Sequence, residues 1–254
     1  MTIADRLKKV SARIQQCQLN LGKLASSKQK PIKSNFSNDF NSLNSSTSSY
    51  VNESVKLLAV SKTHPLSAIQ EGADAGITEF AESYIQEAEI KIQQTRHLNI
   101  IWHFIGPIQS NKTRPIATLF HWVQSIDRTK ILQRINDQRP ANLVPINVCI
   151  QVNYFDEENK KGASIEEVPK LLELASKLPN IKLRGLMFIP PKRENHSAQL
   201  NQMLEIKAYY DKIRTQHPLL DTLSMGMSND LEAAIEAGSS MVRIGTDIFG
   251  KKRQ

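Results

Sequence analysis

Lys56-Leu-Leu-Ala-Val-Ser-Lys62 is the first stretch of the chain with the composition of a core strand, and it ends on an amine. A short, continuous apolar run bounded by polar residues fits a strand buried on both faces, as in a parallel sheet. Downstream the same unit recurs with regular spacing. Strands are expected near 56–60, 77–81, 100–105, 121–125, 144–152, 181–188, 220–224 and 240–244. Helical patterns fall between them, near 65–75, 83–95, 111–118, 128–138, 164–177, 196–216 and 228–237. Eight strands alternating with helices predict an α/β protein, a single (β/α)8 TIM barrel over residues 55–250. A doubly wound open sheet is the competitor, but no Gly-x-Gly-x-x-Gly follows any strand.

Upstream of that unit, Ile3, Leu7, Val10, Ile14, Cys17, Leu21 and Leu24 recur at spacings of four and three, one apolar stripe along a helix. Residues 1–25 are read as an N-terminal amphipathic helix that covers the gap outside strand eight. The same stripe would also serve a coiled-coil partner, so monomer is expected with dimer left open. Residues 26–54 turn to Ser, Asn and Lys, as in Asn41-Ser-Leu-Asn-Ser-Ser-Thr-Ser-Ser49, and are read as a disordered linker. Residues 251–254 form a basic tail.

The formal charge of +8 is uneven. Residues 1–54 carry eight Lys/Arg against three Asp/Glu, and the tail adds three cations. The body between them is balanced, which disfavours a phosphate-tracking face and specific nucleic-acid binding. Cys17 and Cys149 support no disulfide framework. Nothing approaches a membrane span or a signal core, so a cytosolic protein is expected. The histidines lack ligand spacing, and no metal is expected.

Barrels place function at the C-terminal ends of their strands and often hold phosphate in the loops after strands seven and eight. Lys62 stands at such an end. A lysine amine with its ordinary pKa near roughly 10.4 is a poor nucleophile, and apolar walls or nearby cations make it reactive. Lys62 is therefore read either as a Schiff-base lysine or as a solvated strand exit. After strand seven, Ser224-Met-Gly-Met-Ser-Asn-Asp230 offers hydroxyls and amides at a helix start, with Ser228 and Asn229 equally suited to N-capping. After strand eight, Gly245 and Thr246 supply further donors. Arg243 interrupts an apolar run and needs an acceptor or an anion, a structural salt bridge being the alternative. Together these three elements suit pyridoxal 5'-phosphate.

The sequence resembles the pyridoxal-phosphate homeostasis proteins, single-barrel relatives of the N-terminal domain of alanine racemase, from about residue 55 onward. Carrying the resemblance are Leu57-Leu-Ala-Val-Ser-Lys-Thr63, Trp102-His-Phe-Ile-Gly-Pro-Ile-Gln-Ser-Asn-Lys112, Ser125-Ile-Asp-Arg128, Ile150-Gln-Val-Asn153, Leu183-Arg-Gly-Leu-Met187, Leu223-Ser-Met-Gly-Met-Ser228 and Met241-Val-Arg-Ile-Gly-Thr246. The resemblance implies the pyridoxal-phosphate fold type III, with Lys62 forming the internal aldimine. It implies that Ser224, Gly245 and Thr246 help hold the phosphate, that Met225 and Gly226 also bind the cofactor, and that Arg243 faces the pyridine nitrogen. Lys160 matches a second lysine suited to transimination, or is a solvated loop residue. His103 is read as a packed histidine or an acid-base group, and capping accounts for Asn111. Where relatives commonly have Phe-Gly-Glu-Asn-Tyr, this chain has Phe80-Ala-Glu-Ser-Tyr84, which puts a contact by Ser83 in doubt.

The function implied is a non-catalytic carrier that holds the cofactor for homeostasis or for transient delivery to pyridoxal-phosphate-dependent apoenzymes. The family lacks the second, β-rich domain of the racemases, and the few residues after 250 lead to the same expectation here. An amino-acid racemase and a cofactor-free Schiff-base aldolase are the alternatives.

Overall fold

The computed structural model describes residues 1–28, 54–158 and 160–251. The expected linker at 26–54 therefore lies almost wholly outside the described residues, as does the tail beyond Lys251.

Eight parallel strands close into a barrel in sequence order: β1 (Lys56–Val60), β2 (Glu79–Glu82), β3 (Ile101–Phe104), β4 (Trp122–Ile126), β5 (Ile146–Val152), β6 (Ile181–Phe188), β7 (Thr222–Ser224) and β8 (Met241–Ile244). Closure comes from β1 against β8, with Leu58 opposite Arg243 and Ala59 opposite Ile244. Alternate residues of each strand face inward. Leu58 and Val60, Ala81 and Met241 make one apolar layer of the interior, and Trp122, Cys149 and Met187 make another. The outward-facing residues, among them Phe80, Phe104, Val123, Ile150 and Leu186, pack under the helices in the main core. Each such fully buried side chain contributes on the order of 1.5–3 kcal/mol.

The outer shell consists of α1 (Ile3–Lys28), α2 (Leu66–Asp74), α3 (Ile85–Gln94), α4 (Thr113–Leu119), α5 (Thr129–Gln138), α6 (Val168–Lys177), α7 (His196–Gln216), α8 (Leu231–Glu236) and α9 (Thr246–Phe249). The N-terminal stripe behaves as its spacing predicts. Ile3, Val10, Ile14 and Cys17 are buried and Leu7 and Leu21 pack against the core, so α1 sits on α2, α8 and α9 in the place of an eighth barrel helix. No helix among the described residues is long and apolar enough to cross a membrane.

Several element boundaries differ from the sequence expectation, each for a local reason. The pattern at 111–118 divides into a 3-10 turn, Ser110–Lys112, and α4. Gln109 is the N-cap of that turn, so Asn111 lies inside it and does not cap it. The helix expected from 164 begins at Val168, because Ser164 and Glu167 first close a turn in which the Glu167 carboxylate accepts from the Ser164 amide at 3.0 Å. Ser228 and Asn229 are not the N-cap of α8 either. Asp230 holds that position, and its Oδ1 accepts from the Met227 amide at 2.5 Å. α9 is a four-residue turn, too short for any periodicity to reveal.

Candidate cofactor site

Lys62 leaves β1 at the C-terminal face of the barrel, and the backbone on either side of it is tied down. Lys91 of α3, itself only 4% exposed, donates from Nζ to the Ser61 carbonyl at 2.9 Å, to Glu82 Oε1 at 2.7 Å and to Glu87 Oε1 at 2.6 Å. The Ser61 hydroxyl donates to Glu82 Oε1 at 2.7 Å, and the Thr63 amide donates to Glu87 Oε1 at 2.6 Å. Burial pushes the Glu82 carboxyl up, against the pull of the Lys91 ammonium. Thr63 has a φ of 66°, a conformation costly for a β-branched residue, and its bond to Glu87 holds it there. This ion cluster places the two neighbours of Lys62 and so fixes where its side chain departs.

Lys62 lines a cavity of about 480 Å³ together with Arg243, Gly245, Thr246, Met227, Ser228 and Asn229. The volume lies within the range of small-ligand sites. Two loops form one wall of it. The chain after β7 reaches α8 through Met227, Ser228 and Asn229, and the chain after β8 reaches α9 through Gly245 and Thr246. First-turn amides have no partner within their own helix, so both turns present donors suited to an anion. Gly226 makes the first loop possible: its φ of 96° is open to glycine, and a Cβ there would overlap the Cβ of Ala234.

Arg243 is 4% exposed and reaches this cavity from inside the barrel. Its Nη1 donates to Ser224 Oγ at 2.8 Å and its Nη2 to the Phe188 carbonyl at 2.8 Å. Burial lowers the guanidinium to about 10, which leaves it cationic at neutral pH. Behind it a line of buried polar groups continues. Ser224 donates to Gln124 Oε1 at 2.7 Å, Gln124 Nε2 lies 3.0 Å from His103 Nδ1, and His103 Nε2 lies 3.0 Å from Glu79 Oε2. Burial pushes the His103 imidazole down, so it is neutral. For Glu79, burial would raise the carboxyl, but the bond from His103 and the charges beside it lower it on balance. A neutral imidazole accepting at Nδ1 must carry its proton on Nε2 and donate it to Glu79.

Of the residues singled out in the sequence, some line the cavity and others stand behind or beside it. Lys62, Arg243, Gly245 and Thr246 line the cavity. Ser224 and His103 sit inside the barrel, buried, with Ser224 acting as a rest for Arg243. Met225 belongs to the core, and Gly226 shapes its loop. Lys160 stands at the rim, donating to the carbonyl of the cavity residue Ile189 at 3.3 Å and paired with Glu157 at 2.6 Å. Ser83 is half-buried, and its backbone carbonyl fills the space that a side chain on Gly106 would need. Ala81, which replaces the usual glycine, is accommodated in the small apolar layer with Leu58, Val60 and Met241.

The sequence reading did not find Gln124, nor the Lys91 cluster, nor Lys192 and Arg193, which line the cavity from the β6–α7 loop. It also missed Arg13 of α1, which donates to the cavity residue Asp247 at 2.6 Å. A glutamine in an apolar strand was the one visible sign among these; the others are surface-type residues, and although Glu87 and Glu82 lie only four and nine positions from Lys91, nothing local marks that cluster as gathered around Ser61.

The sequence profile of the family described as alanine racemase, N-terminal domain, matches residues 41–253. A pyridoxal phosphate homeostasis protein of Vibrio alginolyticus is 54% identical over 204 residues, covering 79% of this chain and 88% of the relative. The chain belongs to this family. The homeostasis protein of Escherichia coli K12 is 48% identical over 203 residues, covering 79% of this chain and 87% of its own length. Among solved structures, PipY of Synechococcus elongatus with PLP bound superposes with a TM-score of 0.76 at 28% identity, over 98% of this chain and all of PipY. An alanine racemase of Clostridium difficile superposes with a TM-score of 0.63 at 15% identity over 55% of the racemase, a likeness of fold alone.

Proposed function

We infer that this chain binds pyridoxal 5'-phosphate covalently through Lys62 and takes part in intracellular homeostasis of that cofactor, holding it and yielding it to other proteins in the cytosol without robust catalysis of its own. One observation carries the reading: an amine, two donor-rich turns and a buried guanidinium line a single cavity. These groups fit the cofactor's aldehyde, phosphate and ring nitrogen respectively. Relatives named for its homeostasis and a PLP-bound neighbour support the assignment.

Attachment needs only this chain's amine. Lys62 would hold the cofactor at its aldehyde, its amine being the cavity-lining group able to condense there with loss of water. The loops before α8 and α9 orient the phosphate, with Gly245 and Thr246 as its nearest proposed donors, and Ser224 and Gln124 act one step back by holding Arg243. When bound, the cofactor is an electron sink whose strength depends on the group facing its ring nitrogen. A guanidinium does not give up its proton at neutral pH, so Arg243 keeps that sink weak. This favours storage over turnover at an amino-acid α-carbon.

Incubation with cofactor, borohydride reduction and peptide mass mapping tests the assignment. The expected result is a pyridoxyl-phosphate adduct on the peptide carrying Lys62. An adduct confined to other lysines removes Lys62 from its role, and a sugar-fragment adduct from a cell extract would indicate the aldolase.

A further inference from the structure

Asp247 lines the same cavity as Gly245 and Thr246, and Glu232 stands in the first turn of α8, beside the other donor-rich loop. Two carboxylates are poor neighbours for a phosphate dianion, since like charges a few ångströms apart repel each other even through a partly solvated medium. One side chain engages both. Arg13 of α1 donates from Nη1 to Asp247 Oδ2 at 2.6 Å and grips Glu232 in bidentate fashion, Nε to Oε1 at 2.7 Å and Nη2 to Oε2 at 3.0 Å. Its Nη2 also donates to the carbonyl of Ser228, a cavity residue, at 3.1 Å. The three side chains are about equally half-buried, at 35%, 36% and 33% exposure, so these contacts are screened less than fully exposed pairs.

We propose that Arg13 is a positioning residue for the phosphate end of the cavity: it neutralises Asp247 and Glu232 and clamps the loops after β7 and β8 at a fixed separation. The N-terminal helix thereby becomes part of the binding site without touching the ligand. This rests on the reading of the cavity as a pyridoxal-phosphate site. It adds that the phosphate, and not the ring or the aldehyde, is what α1 governs. Fork geometry matters here, because a lysine cannot engage two carboxylates and a carbonyl in the plane that a guanidinium offers.

The test uses the full chain freed of cofactor and titrated with pyridoxal phosphate and, separately, with pyridoxal, which lacks the phosphate. Arg13→Gln should weaken pyridoxal phosphate roughly tenfold, the factor that corresponds to about 1.4 kcal/mol. Pyridoxal affinity should stay within about twofold, on the same scale. Adding Asp247→Asn to Arg13→Gln should restore part of the loss, because one of the two uncompensated acids is gone while Glu232 remains. Equal weakening of both ligands, or of neither, overturns the proposal, as does a double variant no better than the single one. Should Arg13→Gln fail to fold, Arg13→Lys carries the test: it keeps the charge but loses the fork, so it should still weaken pyridoxal phosphate selectively, and equal weakening of both ligands, or of neither, counts against Arg13. A wild-type protein that binds neither ligand would instead sink the assignment of the cavity itself.

Discussion

Hydrogen-bond donation runs one way through the barrel interior, from Arg243 to Ser224, Gln124, His103 and finally Glu79. Each group satisfies the next, which is how buried polar atoms avoid the cost of an unmade bond. The chain makes the charge state of His103 part of folding. Its folded pKa lies below the ordinary value near 6.5, so the unfolded chain takes up the proton first as pH falls. Stability from this group is therefore present above about pH 6.5 and lost on acidification below it. His121, also lowered by burial, contributes with the same sign. Urea denaturation between about pH 5 and 8 should show wild type weakening toward acid and His103→Gln showing a flatter profile; equal slopes would mean that His103 takes up its proton at the same pH in the folded and the unfolded chain. Residues 102–104 suggested a packed histidine, but the partners Gln124 and Glu79 come from other strands and carry no local signal.

Among elements, the β2–α3 unit has a task that its sequence conceals. Glu87 and Lys91 read as surface charges four apart on a helix and Glu82 as a polar strand end, yet Glu82 and Lys91 are buried, and Lys91 holds the Ser61 carbonyl while Glu87 holds the Thr63 amide on either side of Lys62. Removing one partner of a buried ion pair leaves the other charged and dry, at a cost of about 3–5 kcal/mol. Lys91→Met should lose stability of that order in urea denaturation. It should also slow covalent capture of the cofactor under conditions where the variant is still folded. A loss below about 1 kcal/mol would place the cluster among surface pairs. The strands, by contrast, were legible because an inward and an outward apolar face leave continuous runs such as Leu57-Leu-Ala-Val60 in β1. Short pieces such as the 3-10 turn and α9 were not, since three or four residues hold no period.

On the scale of the whole molecule, the barrel closes through hydrogen bonds between β1 and β8, while its helical shell closes only when α1 returns from the N-terminus to lie on α8, α9 and α2. The stripe of α1 announced a buried face, and the barrel count announced a gap for it to cover. What neither could announce was Arg13 reaching the cavity loops, because that contact spans more than two hundred residues. Val10, 1% exposed, is the centre of the docked face. Val10→Asp places a carboxylate against apolar side chains and should undock the helix, lowering the melting temperature by several degrees, as expected for a loss of about 2 kcal/mol or more in a domain of this size. An unchanged melting temperature would show that the barrel stands without its N-terminal cover.

Lys62 is the proposed covalent anchor of pyridoxal phosphate, in a cavity completed by Arg243 and the loops after β7 and β8. The absorption spectrum of the purified protein with added cofactor, compared with that of Lys62→Ala, tests it most directly. Wild type should show a visible band that survives desalting and is absent from the variant. A colourless wild type, or a band that persists in Lys62→Ala, would contradict it.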